Sequence, residues 1–283
     1  MSNQPDDQRV SQPPVTTARS SNPTFTAGTS SLIVMVLLVI ALWSVFALRL
    51  YETDFSGGVS GLEFLFASAI PPDMGVLEVG LQGLIETLYI AYLGTLIGVI
   101  FSLPVSLLAS RNLFPSYVTL PARWLLAGLR VLPSILWAVI FVILIGTGPA
   151  AGVLALSLYT IGFVGKLEYE SFEGIDPEPI EAVRSLGASR LQVLRMVVLP
   201  QASNSVISQS MFMFEYNVRH AAAIGIVGAG GIGYYIMGYL DFFAYDRVVV
   251  LLAIIFLVVI SVDELSYRLR SLVLGDAKTT LCA

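Results

Sequence analysis

Long apolar runs broken by short polar stretches set the pattern of this chain. Residues 32–48, from Leu32 to Leu48, carry no charge and would form a helix about 25 Å long, most of a hydrocarbon core about 30 Å thick. Further runs at about 86–109, 131–147, 150–166, 203–218 and 247–264 predict six transmembrane helices, with no segment that reads as a strand. The fifth run carries Asn204, Gln209, Glu215 and Asn217. A lipid-facing helix would not tolerate them, whereas a helix lining a pathway could.

Composition agrees: 56% of residues are hydrophobic and only 12% are charged, more apolar surface than a soluble chain of this size needs. Residues 1–30, rich in Ser, Thr, Pro, Gln and Asn, cannot bury a core and read as a disordered tail. The helix that follows reads as an uncleaved anchor at 31–50, because no small-residue cleavage site accompanies it. With the N-terminus inside, polar segments on that side hold 12 of the 15 basic residues, including Arg111, Arg123, Arg130, Lys166, Arg184, Arg190 and Arg195. The connection from Tyr51 to Gln82 has acids and no base. The positive-inside rule then places both termini, the second within a tail at 271–283, in the cytoplasm. The net charge of −5 is spread over short loops, and nothing resembles a nucleic-acid footprint. Cys282 is the only cysteine, so there is no internal disulfide and no cysteine-based metal site.

Residues 176–200 form the most organised polar segment. Asp176-Pro177-Glu178-Pro179 supplies a helix start with proline in the first turn and acids at the positive end of the dipole. Gly187 stops that helix, and Ser189 with Gln192 three residues on reads as a capping box opening a second short helix that runs to Leu199-Pro200. A helix, a glycine corner and a helix make a rigid elbow that a soluble partner could hold.

Glu181-Ala182-Val183, then Gly187, then Val197-Val198-Leu199-Pro200 resembles the EAA loop of binding-protein-dependent ABC importer permeases. Val183 stands where a second alanine is common, and Val197 where isoleucine is common. In that family the loop docks the ATPase subunit, so the resemblance implies coupling roles for Glu181, Ala182, Gly187, Ser189, Leu199 and Pro200. Asn217-Val218-Arg219, the glycine run from Gly225 to Gly233, Leu129-Arg130-x-x-Pro133, Leu136-Trp137-Ala138, Gly146-x-Gly148-Pro149 and Glu86-Thr87 are similar to the phosphonate-type members. Methionine-importer permeases share several of these features, so methionine or phosphate stands as an alternative solute.

The resemblance covers residues 82–270. It implies an all-α membrane protein with the type I importer core, working as two copies in the inner cell membrane. Its partners would be an ATP-binding ABC subunit, which holds the ATP and magnesium, and an extracytoplasmic solute-binding protein. This chain would bind no cofactor and catalyse nothing. The residues agree: its two lysines, Lys166 and Lys278, stand in no phosphate-binding loop, and one histidine, one tail cysteine and no HExxH leave little for an intramembrane enzyme. A membrane scaffold of similar hydropathy is the remaining competitor.

Gly228-Ala229-Gly230-Gly231-Ile232-Gly233 matches a dinucleotide fingerprint by letter, but that pattern has meaning only after a strand. Among membrane spans these glycines predict an irregular backbone lining a cavity, or close helix crossing. Asn217, Arg219, Gly228, Gly230 and Gly231 are therefore the candidate pathway residues. Arg219 suits an oxyanion because its guanidinium presents a planar fork, yet Glu215 at i,i+4 could hold it as a structural pair. His220 reads equally well as a packing residue. Gly94-x-x-x-Gly98 predicts a close helix contact, and Pro104 predicts a kink.

Overall fold

The computed structural model describes residues 27–52 and 56–274, all of whose regular structure is helical. The chain divides into two units, Met1–Gly61 and Leu62–Ala283. In the first, helix α1 (Ala27–Ala47) is apolar around its whole circumference, the pattern of a helix without a water-facing side. It starts four residues inside the predicted tail, as a helix does once nucleated, because each added residue gains a hydrogen bond. Residues 1–26 and 275–283, which carry the rest of both predicted tails and Cys282, lie outside the described residues.

Helix α2 (Ser56–Ala69) straddles the boundary and was hidden in the sequence, because Gly57, Gly58 and Gly61 lower its helix propensity. The second unit then continues with α3 (Leu77–Ala109), α4 (Ser116–Val131), α5 (Ser134–Ile145), α6 (Pro149–Glu173), α7 (Pro177–Ser185), α8 (Arg190–Val193), α9 (Leu199–Gly225), α10 (Ile232–Asp241) and α11 (Tyr245–Leu274).

Three segments of the described residues are long and apolar enough to cross a bilayer: Met74–Ala109, Pro149–Glu173 and Tyr245–Ser271. The expected span at 131–147 is instead the second half of a broken pair, α4 and α5 meeting at 84°. Pro133 causes the break, since the residue before a proline is pushed out of the helical region, and Leu132 is extended at φ −86°, ψ 127°. Helix α9 is about 40 Å long, enough to span, but its polar residues keep it out of that class. Arg130 and Lys166, expected in loops, lie within α4 and α6. Pro104 does not interrupt α3, which runs on to Ala109.

Lipid offers helices no hydrophobic reason to associate, so close approach and polar contacts must hold the bundle. Helix α3 lays Gly94 and Gly98 against Leu156 and Thr160 of α6. The polar residues of α9 serve the same end. Asn217, fully buried, donates its amide to Thr95 Oγ1 on α3 and Thr160 Oγ1 on α6, both at 2.9 Å. Gln209 donates to Ser171 on α6 at 2.7 Å. These side chains point into neighbouring helices, so the polarity of the fifth span does not by itself mark a pathway.

A Cβ at position 94 would stand 2.7 Å from Leu156 Cβ. Gly94→Val should therefore overpack the seam and destabilise the detergent-solubilised protein by about 1–3 kcal/mol. Gly128→Val is the control, because nothing lies within 4 Å of a Cβ there. Thermal unfolding of both variants checks this, and equal melting temperatures would refute the seam.

Candidate functional site

The elbow is built as its local sequence dictates. Asp176 caps α7, accepting from Glu178 N at 3.0 Å, with Pro177 in the first turn. Gly187 takes φ +82° and donates its N–H to Arg184 O at 2.9 Å. Ser189 and Gln192 close the capping box, Ser189 N donating to Gln192 Oε1 at 2.7 Å and Gln192 N to Ser189 Oγ at 3.4 Å. Ile180, Val193, Val197 and Val198 bury their side chains with Phe172 and Leu113, while Glu181, Ala182, Leu186, Gly187 and Ser189 face outward. Leu186 is 86% exposed and Leu191 72%, a large apolar surface for a polar corner.

A charged lattice fixes the elbow to the bundle. Glu173 Oε1 accepts from Arg111 N at 2.7 Å and from Arg123 Nη2 at 2.5 Å. Arg184 donates to Asn112 O, and Asn112 in turn donates to Phe172 O at 3.1 Å.

One expectation needs correction. The second elbow helix does not end at Leu199-Pro200. Helix α8 passes through a five-residue π-helical turn, Leu194–Val198, directly into α9, where Pro200 occupies the first turn. The proline has no N–H to give, and the wider π turn absorbs the missing hydrogen bond.

Gly228, Gly230 and Gly231 all have positive φ, at +92°, +82° and +74°, so the turn between α9 and α10 needs residues without a Cβ. It folds over the first half of α3, where Thr87 Oγ1 accepts from Ile232 N at 2.8 Å, and Gly148 N donates to Gly228 O at 2.9 Å. With Glu86, Thr147, Tyr234 and Tyr235 these glycines line a small cavity of about 170 Å³. Neither Asn217 nor Arg219 lines it. The five candidate pathway residues thus fall in three places: the glycine turn, the buried amide at Asn217, and a charged cluster at Arg219.

In that cluster Arg219 Nη2 donates to Glu215 Oε1 at 2.9 Å and to both oxygens of Asp263 on α11 at 2.6 Å. The second Glu215 oxygen accepts from Arg270 at 2.8 Å. The i,i+4 spacing showed Glu215, but nothing local in the sequence brings Asp263 or Arg270 to α9. Beside the cluster, Tyr216 stacks on His220 with ring centres 4.0 Å apart, and Tyr159 of α6 stacks on Tyr216 at 6.0 Å. The two tyrosine hydroxyls are 3.2 Å apart. His220 Nδ1 pairs with Ser134 Oγ at the start of α5 at 2.8 Å.

Comparison with known proteins decides what this bundle is. The family described as binding-protein-dependent transport system inner membrane component matches residues 94–272. The chain belongs to that family. The phosphite transport system permease protein PtxC of Stutzerimonas stutzeri is 38% identical over 239 residues, 84% of this chain and 86% of that one. The phosphate-import permease protein PhnE of Mycolicibacterium smegmatis is 38% identical over 210 residues, 73% of this chain and 39% of that one. Among solved structures, the methionine ABC transporter MetNI in an inward-facing conformation aligns with a TM-score of 0.60 at 22% identity, over 70% of this chain and 98% of that one. The fold is that of the type I ABC importer permeases, and the protein is a multi-pass membrane permease rather than an enzyme.

Within this permease Arg219 is the hub of the charged cluster. Arg219→Gln removes every charged contact of Asp263 in the cluster, whereas Asp263→Asn leaves Arg219 its bond to Glu215. Because both side chains are near 40% exposed, the first should cost about 1–2 kcal/mol and the second less. Melting temperatures of the two variants test the order, and a larger loss for Asp263→Asn would reverse the assignment.

Proposed function

We propose that this permease is the membrane-spanning half of an ATP-driven importer for a small phosphorus oxyanion, phosphite, phosphonate or phosphate. The observation that carries the substrate class is kinship, with a phosphite permease and a phosphate-import permease each 38% identical. The methionine reading has less support, since a D-methionine permease protein of Vibrio cholerae is 29% identical over 42% of this chain. Six spans make up the proposed topology: α1, α3, the α4–α5 pair, α6, α9 and α11. Both termini and the elbow then face the cytoplasm, and the glycine turn faces outward.

Two copies pair around the pathway, each presenting one elbow to one ATPase subunit, which binds the ATP and magnesium. A solute-binding protein delivers the anion from outside. What supports the docking role is the outward face of Glu181, Ala182, Leu186 and Leu191 on a corner held rigid by two caps. Closure of the ATPase pair would draw the elbows together. Because α8, the π turn and α9 run on without a loop, that displacement passes along one rod to Arg219 and the glycine turn.

The test is uptake in a host lacking its own phosphorus-oxyanion importers, supplied with the permease, its ATPase and its binding protein. Phosphite, methylphosphonate or phosphate should accumulate and methionine should not; uptake of methionine alone would replace the substrate class.

Substitutions in the elbow probe the docking assignment independently. Glu181→Lys reverses charge on the outer face, and Gly187→Val places a β-branched residue at φ +82°, a strain of at least about 1 kcal/mol. Each should reduce recovery of the ATPase with the tagged permease several-fold. Full recovery in both would remove the elbow from the docking site.

A further inference from the structure

We infer that Arg130, at the α4–α5 bend, forms with the Tyr159 and Tyr216 hydroxyls a subsite for a tetrahedral phosphorus oxyanion in the middle of the membrane. The inference rests on the transport reading above and adds where in the chain the anion is held.

Depth comes from packing. The backbone of Leu129 and Arg130 lies against Gly162, where a Cβ would come within 3.0 Å of Arg130 N. Gly162 is near the centre of the 25-residue α6. Tyr159 stands one turn before Gly162 on α6, and the i,i+3 spacing puts the two on one face of that helix, the face on which Arg130 packs. Thr160, next to Tyr159, holds the Asn217 amide together with Thr95, itself near the centre of the 33-residue α3. Arg130 therefore sits at the level where three spans cross.

Charge separates Arg130 from the other basic residues on α4, α6, α9 and α11. Among the described residues Arg123 pairs with Glu173, Lys166 with Glu170, Arg219 with Glu215 and Asp263, and Arg270 with Glu215. Arg130 forms no such pair. A cation at membrane depth faces a bundle interior or a water-filled cavity and marks an ion path. Its side chain is half-buried, and the helix it packs on carries Tyr159, which stacks with Tyr216 and through it with His220.

The chemistry selects an anion. A guanidinium grips two oxygens of one phosphorus centre at once, and each tyrosine hydroxyl can donate to a third. The hydroxyls now face each other at 3.2 Å, so a ligand oxygen would replace a contact that already exists. No carboxylate is paired at Arg130, so a zwitterion would find no partner for its ammonium. The carboxylates of Glu215 and Asp263 are engaged by Arg219 and Arg270. Arg219 is thus already neutralised, whereas among the described residues Arg130 enters no ion pair within its helix or with its neighbours.

A cation in the last turn of α4 also suits the negative end of that helix dipole, and a lysine would serve that purpose equally. Lysine would not serve a bidentate grip. The experiment uses the full-length permease assembled with its ATPase in lipid nanodiscs, without binding protein. Binding of 32P-labelled phosphate is measured by equilibrium dialysis, with phosphite, methylphosphonate and methionine as competitors.

Wild type should bind saturably, with phosphite and methylphosphonate competing and methionine not. Arg130→Lys should weaken binding at least about tenfold and Tyr159→Phe about threefold, while Arg268→Gln, an exposed cation paired with Glu264, should bind as wild type. Should Arg130→Lys fail to assemble, Tyr159→Phe and the competition series on wild type still decide. Unchanged affinity in Arg130→Lys, or no saturable binding of any of the three anions in wild type, overturns the subsite. Oxyanion uptake by the complete transporter alongside either result would leave the transport reading standing.

Discussion

The Asn217 amide ties α9 to α3 and α6 at one point, and much of the bundle is arranged around that tie. An amide with two N–H groups needs two acceptors when water is absent, and Thr95 and Thr160 supply them from different helices. Fixing Asn217 inward fixes the rotation of α9. Tyr216 and His220 must then face α6 and α5, Arg219 must face α11, and Ala221 and Ile224 must enter the central apolar cluster. The glycine seam between α3 and α6 brings the two threonines near enough for this to happen. Small residues and a single polar side chain thus do together what hydrophobic burial does in water.

Parts of this molecule were legible because their causes are local. The corner of the elbow needed only Asp176, Gly187, Ser189 and Gln192, each acting on neighbours within four residues, and its caps form as the letters read. The glycine turn was legible for the same reason, since a run at positive φ excludes most side chains. The reading failed where the cause lay on another helix. Pro200 looked like a stop because the π turn before it leaves no mark in composition. Asn217 and Gln209 looked like pathway residues because their acceptors, on α3 and α6, lie more than thirty residues away in sequence. Arg130 looked like a loop residue because the span was drawn one residue past it.

The comparison of Arg219 with Arg130 shows why pairing matters more than presence. Both are arginines within helices of the bundle, and on sequence Arg219 had the better claim, lying near the glycine turn. Three-dimensional placement gives it two carboxylates and gives Arg130 none among the described residues. A guanidinium already held by Asp263 through both oxygens contributes to stiffness between α9 and α11.

The π turn at Leu194–Val198 acts as a phase setting. A π turn holds one more residue than an α turn, so the side chains beyond it are advanced by about 100° relative to an uninterrupted helix. The face that α9 shows to its neighbours is therefore not the face that a straight helix from Ser189 would show. Loss of one residue in this stretch would let the helix become regular, keep every side-chain type in place, and turn the elbow against the bundle by more than a quarter of a revolution. The two ends of the molecule are geared through this turn, and its length, rather than its chemistry, sets the gear.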